Sequence, residues 1–398
     1  MKKSMKQWLA LVSAGIMTFS MASCSDLTGA LAGLLGGGVG GEQSVEDDSP
    51  VILPNVTMAK NVILMIGDGM GPNQIKAGEL MRNEPLTMQQ FPYMTKVETR
   101  SYNATVTDSA AAATALATGV RTNNGTIGKN PAGEDLETIV DIAASLGKRT
   151  GIIATEDLWG ATPMGFSSHA DSRNDKATLL TEATVSSNVN LFVSYAMAYR
   201  YQNVFPEAGF EKIDRAEDIS EATTDKVFGS YLIEAKAPSM SSEAANLAFD
   251  FLITEVLEYL SKDEDGFFLM AEGSHIDHGG HNNDLTYMLE ELLAFDDAVK
   301  AVMKWAKGRD DTVVIVTADH ETGGFMLEDY VTHDHMVEAY GSRFGDGISW
   351  TSTGHTDTDV NFYINGADID FASYSFGTAD RIKNTDVFEI MKSLMLGK

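Results

Sequence analysis

Apolar runs recur along this chain at the spacing of an alternating strand and helix protein. Asn61 to Ile66, Phe267 to Ala271 and Thr312 to Val316 are each almost wholly apolar. Runs of this length without polar alternation predict strands buried on both faces. Arg149 to Thr155 reads as a further strand, and Leu191 to Val193 and Tyr231 to Ile233 as shorter ones. Helical periodicity predicts helices over Leu136 to Leu146, Ser242 to Leu260 and Asp284 to Lys307. The second presents Ala245, Leu247, Ala248, Phe251, Leu252, Val256, Leu257 and Leu260. The third presents Leu289, Leu292, Leu293, Phe295, Ala298, Val299, Val302 and Trp305. Glu207 to Asp225 reads as a surface loop, and Asn384-Thr385-Asp386 as the cap of a last helix running to about Met395. Together these predict an α/β fold: a doubly wound, mostly parallel sheet with helices on both faces. Such sheets bind ligands at the carboxyl ends of their strands.

The strand ends carry the chemistry. Asp68 follows the first strand between Gly67 and Gly69, a setting that a tight turn also uses. Phe267 to Ala271 runs into Glu272-Gly273-Ser274-His275-Ile276-Asp277-His278-Gly279-Gly280-His281. Asp277 and His281 are four apart, so on a local helix both reach one ion. Thr312 to Val316 runs into Thr317-Ala318-Asp319-His320-Glu321-Thr322-Gly323-Gly324, again a carboxylate and an imidazole at a strand end. Between these lies Thr107-Asp108-Ser109 followed by four alanines, with Gly119 closing the stretch. Alanine favours helix and glycine its C-terminal end. Ser109 then falls in the first turn, where free N–H groups favour an anion, and beside Asp108 its hydroxyl is placed to attack phosphorus. An N-capping serine on a small-residue packing helix is the plainer alternative.

Charge narrows the partners. The chain has 398 residues and a formal net charge of −28, with no basic run after the first six residues. Nucleic acid and anionic membrane surfaces are therefore poor partners. An acidic protein with an anionic substrate is contradictory unless divalent cations reverse the charge locally.

These motifs, in this order, resemble those of the alkaline phosphatases, over roughly residues 60 to 396. The resemblance implies Ser109 as nucleophile beside Asp108. It implies one zinc on Asp277, His281 and His355, the last in Thr353-Gly354-His355-Thr356, and a second on Asp68, Asp319 and His320. Gly160-Ala161-Thr162-Pro163 and Arg173, eleven residues past Thr162, match the family's spacing of a metal-binding threonine and a phosphate-binding arginine. A third ion, Mg²⁺, is then expected on Asp68, Thr162 and Glu272, and His278 close to the phosphate. The implied reaction is hydrolysis of small phosphate monoesters through a phosphoseryl intermediate. Many members are dimers, so a homodimer is compatible with the family. Members usually carry aspartate or histidine where this chain has Gly160, and this chain has His278 rather than lysine at the other position that supports the ion's waters, so a weakly held Mg²⁺ is expected. His169 reads as packing or capping and His275 as a polar surface residue. His333 and His335 lie in an excursion, Tyr330 to Trp350, within a small insertion near residues 326 to 352.

Rival readings are a phosphodiesterase or sulfatase of the same superfamily, or a tethered binding protein without activity. The diesterases typically use threonine as nucleophile and lack the arginine. The residues after Ser109 are not the Cys/Ser-x-Pro-x-Arg pattern that sulfatases need.

The N-terminus reads as a targeting segment, with Lys2, Lys3 and Lys6 ahead of an apolar stretch from Trp8 to Met21. Met21-Ala22-Ser23-Cys24 resembles the bacterial lipoprotein signal, which implies export, removal of residues 1 to 23 and a lipid on Cys24. An ordinary secretory signal is the alternative. Cys24 is the only cysteine, so no disulfide forms within the chain. Residues 24 to 57, with a glycine-rich middle, read as a flexible tether from membrane to a catalytic domain at 58 to 398.

Overall fold

The computed structural model describes residues 49–195, 201, 203–231, 233–234 and 247–398. The signal segment, Cys24 and most of the proposed tether lie outside the described residues, as do Leu232 and residues 242 to 246. The end of that tether is docked rather than free. Leu53 is buried, its N–H donates to Asn365 Oδ1 at 2.9 Å, and the Asn365 amide donates back to Val51 O.

Among the described residues, ten strands form one sheet. In chain order they are β1 (Asn61–Gly67), β2 (Tyr93–Glu98), β3 (Arg149–Ala154), β4 (Leu191–Tyr195), β5 (Glu211–Ile213), β6 (Val227–Tyr231), β7 (Phe267–Gly273), β8 (Thr312–Thr317), β9 (Val360–Asn365) and β10 (Arg381–Lys383). Across the sheet they lie in the order β10-β2-β9-β8-β1-β7-β3-β4-β6-β5. All run the same way except β9, which is antiparallel to both its neighbours. The mostly parallel sheet expected from the apolar runs is therefore present. β1, β7 and β8 are buried along their whole length, as unbroken apolar runs require when helices cover both faces.

The helices that matter for the site are α1 (Pro72–Arg82), α2 (Ser109–Thr118), α3 (Ile139–Ser145), α4 (Ala161–Gly165), α5 (Phe249–Leu260), α6 (His275–His281), α7 (Leu285–Ala306), α8 (His333–Ala339) and α9 (Asn384–Leu396). α2 is buried at all ten positions and packs between α4 and α9. Only a run of alanine and other small residues lets a helix sit so close to its neighbours. Among the described residues, no helix is long and apolar enough to cross a membrane.

Several expectations move. The helix predicted from Ser242 starts at Phe249, because Leu247–Ala248 pair as a short strand with Ile233–Glu234. Its buried face is Phe249, Leu252, Ile253, Val256, Leu257 and Leu260, and Phe251 points outward, 40% exposed. The stretch predicted as a loop over Glu207 to Asp225 contains the edge strand β5. Asn384 does not cap α9 but is its first residue. The capping carboxylate is Asp386, which accepts from Lys383 N–H at 2.8 Å. The insertion is an antiparallel pair, Phe325–Leu327 with Ile348–Trp350, flanking α8.

Candidate metal centre and active site

Four adjacent strands, β8, β1, β7 and β3, send acidic residues to one edge of the sheet. Gly67 is level with Gly273, and Ile66 with Thr317 and Glu272, so the turns leaving these strands start at the same height. Asp68 follows β1, Glu272 stands near the end of β7, Asp319 and His320 follow β8, and Glu156 follows β3. The turn after β1 needs glycine at 69, where φ is +75° and a Cβ would strike Asp277 Cα at 2.6 Å.

Two donor clusters share this edge. In the first, single atoms of Asp277, His281 and His355 lie within 4.8 Å of one another, and in the second those of Asp68, Asp277 and His320 do. α6 places Asp277 and His281 on one face, as their spacing predicts. His281 Nδ1 sits 2.6 Å from Thr353 O and His355 Nδ1 2.9 Å from Thr107 O. Each Nδ1–H donates to its carbonyl, which turns both Nε2 atoms toward Asp277. Asp319 Oδ1 accepts from Gly69 N–H and His320 N–H, while Oδ2 lies 3.0 Å from His320 Nε2 without a hydrogen bond.

The electrostatics call for cations. Burial, then the charges of Asp319, Asp277 and Glu272, push the Asp68 carboxyl well above the usual range. Glu272 is raised likewise, by burial and then by the charge of Glu156. Burial opposes ionisation of Asp277, but His281 and His355 hold it well below the usual range. Its contact with Asp277 lifts His281 to about 9. Asp68 Oδ1, Asp319 Oδ2, both oxygens of Glu272 and the Thr162 hydroxyl are buried without a hydrogen-bond partner. Orphaned oxygens of this kind cost about 1–3 kcal/mol each or more when charged. Divalent cations would satisfy them: carboxylate with imidazole is a donor set that suits zinc, and an all-oxygen set suits Mg²⁺. The residues present therefore fit the ions.

Ser109 opens α2, and Asp108 rather than Ser109 is the N-cap, accepting from Ala111 N–H at 3.0 Å. Ser109 Oγ is 3.1 Å from His320 Nε2, against the second donor cluster. Asp108 also accepts from Gly125 N–H and lies 3.3 Å from Arg173 Nη1, so it holds the arginine beside the serine.

Comparison with known proteins settles the family. The model of the alkaline phosphatase family matches residues 59–198 and 234–344. The chain belongs to the alkaline phosphatase family. It is 32% identical over 290 residues to alkaline phosphatase 4 of Bacillus subtilis, covering 67% of this chain and 62% of that protein. Against the alkaline phosphatase of Escherichia coli it is 26% identical, over 85% of this chain and 86% of that one. The structure of alkaline phosphatase from the Antarctic bacterium TAB5 superposes with a TM-score of 0.71 at 29% identity, covering 85% of this chain and 98% of that chain. A variant of that enzyme is described with Mg bound in its M3 site.

Other expected residues are placed as follows. His278 is exposed, its ring stacked on His275 with centroids 4.8 Å apart. His169 Nε2 contacts Leu136 O at 2.9 Å, His333 Nδ1 contacts Leu80 O, and His335 belongs to the cap of α8. Neither His333 nor His335 falls in a metal cluster among the described residues. Three supporting residues were not singled out from sequence. Thr322 Oγ donates to Asp277 Oδ1 and lies 3.2 Å from His320 Nδ1, linking the clusters. Glu321 accepts from Gln74, Phe325 N–H and Thr356, tying α1 to the strand that carries His355. Glu156 is the third, and its signal was available: an acid just past the end of an apolar strand, as Asp68 is.

Proposed function

We propose that this alkaline phosphatase family member hydrolyses phosphate monoesters to alcohol and inorganic phosphate, with Ser109 as nucleophile. The observation that carries this reading is the position of the Ser109 hydroxyl, 3.1 Å from His320 Nε2 and against the second donor cluster, with Arg173 held by Asp108, the residue before it. Asp277, His281 and His355 would hold one zinc ion, Asp68, Asp319 and His320 a second, and Asp68, Thr162 and Glu272 a Mg²⁺. When bound, such ions supply Lewis-acid activation of the attacking oxygen and charge stabilisation of the leaving one.

The chain's own residues do the rest. Ser109 Oγ loses its proton and bonds the phosphorus as the P–O bond to the alcohol breaks, and the leaving oxygen takes up a proton, giving phosphoserine and the free alcohol. The Arg173 guanidinium offers paired N–H donors to the non-bridging oxygens and aligns the group for in-line attack. Water then cleaves the phosphoserine P–O bond, freeing phosphate and returning the Ser109 hydroxyl. Turnover of p-nitrophenyl phosphate by zinc- and magnesium-loaded protein, with acid-trapped phosphate on Ser109, tests the reading. Absence of turnover with the metals bound would overturn it.

A further inference from the structure

The backbone does not require glycine at 160. Its φ of −53° with ψ of 153° is open to any residue. Space requires it instead: a Cβ there would lie 1.8 Å from Glu156 Oε1 and 2.6 Å from Glu156 Cδ. The Glu156 carboxyl therefore occupies the room that a side chain at 160 would fill. Close by, Glu272 and Thr162 are wholly buried with no hydrogen bond to either carboxylate oxygen or to the hydroxyl, and Asp68 Oδ1 is likewise unpartnered. Among the charges acting on Glu272, that of Glu156 is the strongest. Trp159, the other neighbour of Gly160, is turned away, edge-on to Tyr201 at 4.9 Å and under the Lys176 ammonium.

We propose that Glu156 is a ligand of the third cation site, delivered from the end of β3 in place of the side chain that Gly160 lacks. This rests on the metal reading given above. Three carboxylates and a hydroxyl form an all-oxygen set, which selects a hard cation such as Mg²⁺ or Mn²⁺. The extra negative charge makes that site tight, reversing the weak binding expected from Gly160 alone. Glu156 and Gly160 then act as a pair, since any larger residue at 160 displaces the carboxylate.

Calorimetric titration of Mg²⁺ into zinc-loaded protein decides it, with Mn²⁺ binding followed by electron paramagnetic resonance as a second readout. Glu156→Gln keeps the shape and removes the charge, and it weakens Mg²⁺ by roughly 10–100-fold while the zinc content is unchanged. Gly160→Ala leaves Glu156 in the chain but pushes its carboxylate aside, and it weakens Mg²⁺ as well. Unchanged Mg²⁺ affinity in Glu156→Gln overturns the proposal. A raised KM with unaltered Mg²⁺ binding also overturns it, because Glu156 would then serve Arg173, whose charge reaches it. Mg²⁺ binding that depends on Glu156 in a protein without phosphatase turnover would support this site and refute the phosphatase reading.

Discussion

The Nε2 atoms of His281 and His355 lie 3.2 Å apart, 3.3 and 3.4 Å from the two oxygens of Asp277. With each Nδ1–H committed to a backbone carbonyl, both Nε2 atoms face one carboxylate, which draws a proton onto His281 Nε2 where a cation would otherwise sit. A cation between them relieves that arrangement. His355→Ala should therefore cost one zinc per chain and leave the other in place. Elemental analysis after dialysis checks this, and full retention of both ions would remove His355 from the ligand set.

Ser109→Ala should leave metal content and melting temperature near those of the parent. Turnover should fall by several orders of magnitude yet stay above the uncatalysed level, since binding and charge stabilisation survive. No phosphoenzyme should be trapped. Parent-level turnover in this variant would exclude a covalent serine intermediate.

Arg173 is held by Asp108 and is 36% exposed, so its paired donors can turn to a ligand. A monoester offers them a dianion with three terminal oxygens, whereas a diester carries a single charge on only two. Arg173→Ala should thus lose more kcat/KM on aryl monoesters than on aryl diesters. Equal losses on the two would show that discrimination lies elsewhere.

Burial, with Glu290 adding to it, raises Glu291 to about 7, and nearby His275 is lowered to about 4 by burial and then His278. Between about pH 4.5 and 7 the folded protein keeps a proton on Glu291 that the unfolded chain has lost, so stability falls as pH rises through this window. Glu291→Gln lacks that penalty. Its gain over the parent should be absent at pH 4 and reach at most about 3 kcal/mol at pH 8. Denaturant melts at the two pH values measure it, and a gain equal at both would point to packing instead.

Cys24 predicts a lipid-modified N-terminus at residue 24 and export to the membrane surface. Mass spectrometry of the protein expressed in a bacterial host should find acyl chains there, and Cys24→Ser should release soluble protein. An unmodified N-terminus elsewhere would discard the anchor and leave the site chemistry untouched.

Local pattern was enough to place the strands at the centre of the sheet and the residues at their ends. β1, β7 and β8 were legible because burial on both faces demands unbroken apolar runs, Asp68, Asp319 and His320 because they follow those runs closely, and Asp277 and His281 because their spacing puts them on one face of the short helix after β7. Alanine after Ser109 marked α2 through intrinsic propensity. Features that need distant parts of the chain to meet came only from the folded arrangement. The antiparallel β9, the Thr107 and Thr353 carbonyls that turn the two histidines, and the Thr322 bridge to Asp277 are set by strand order and by loops returning over the sheet. Gly160 shows the limit most directly. Along the chain it is a missing side chain, whereas in space Glu156 fills its place, because the turn after β3 folds the carboxylate back onto it.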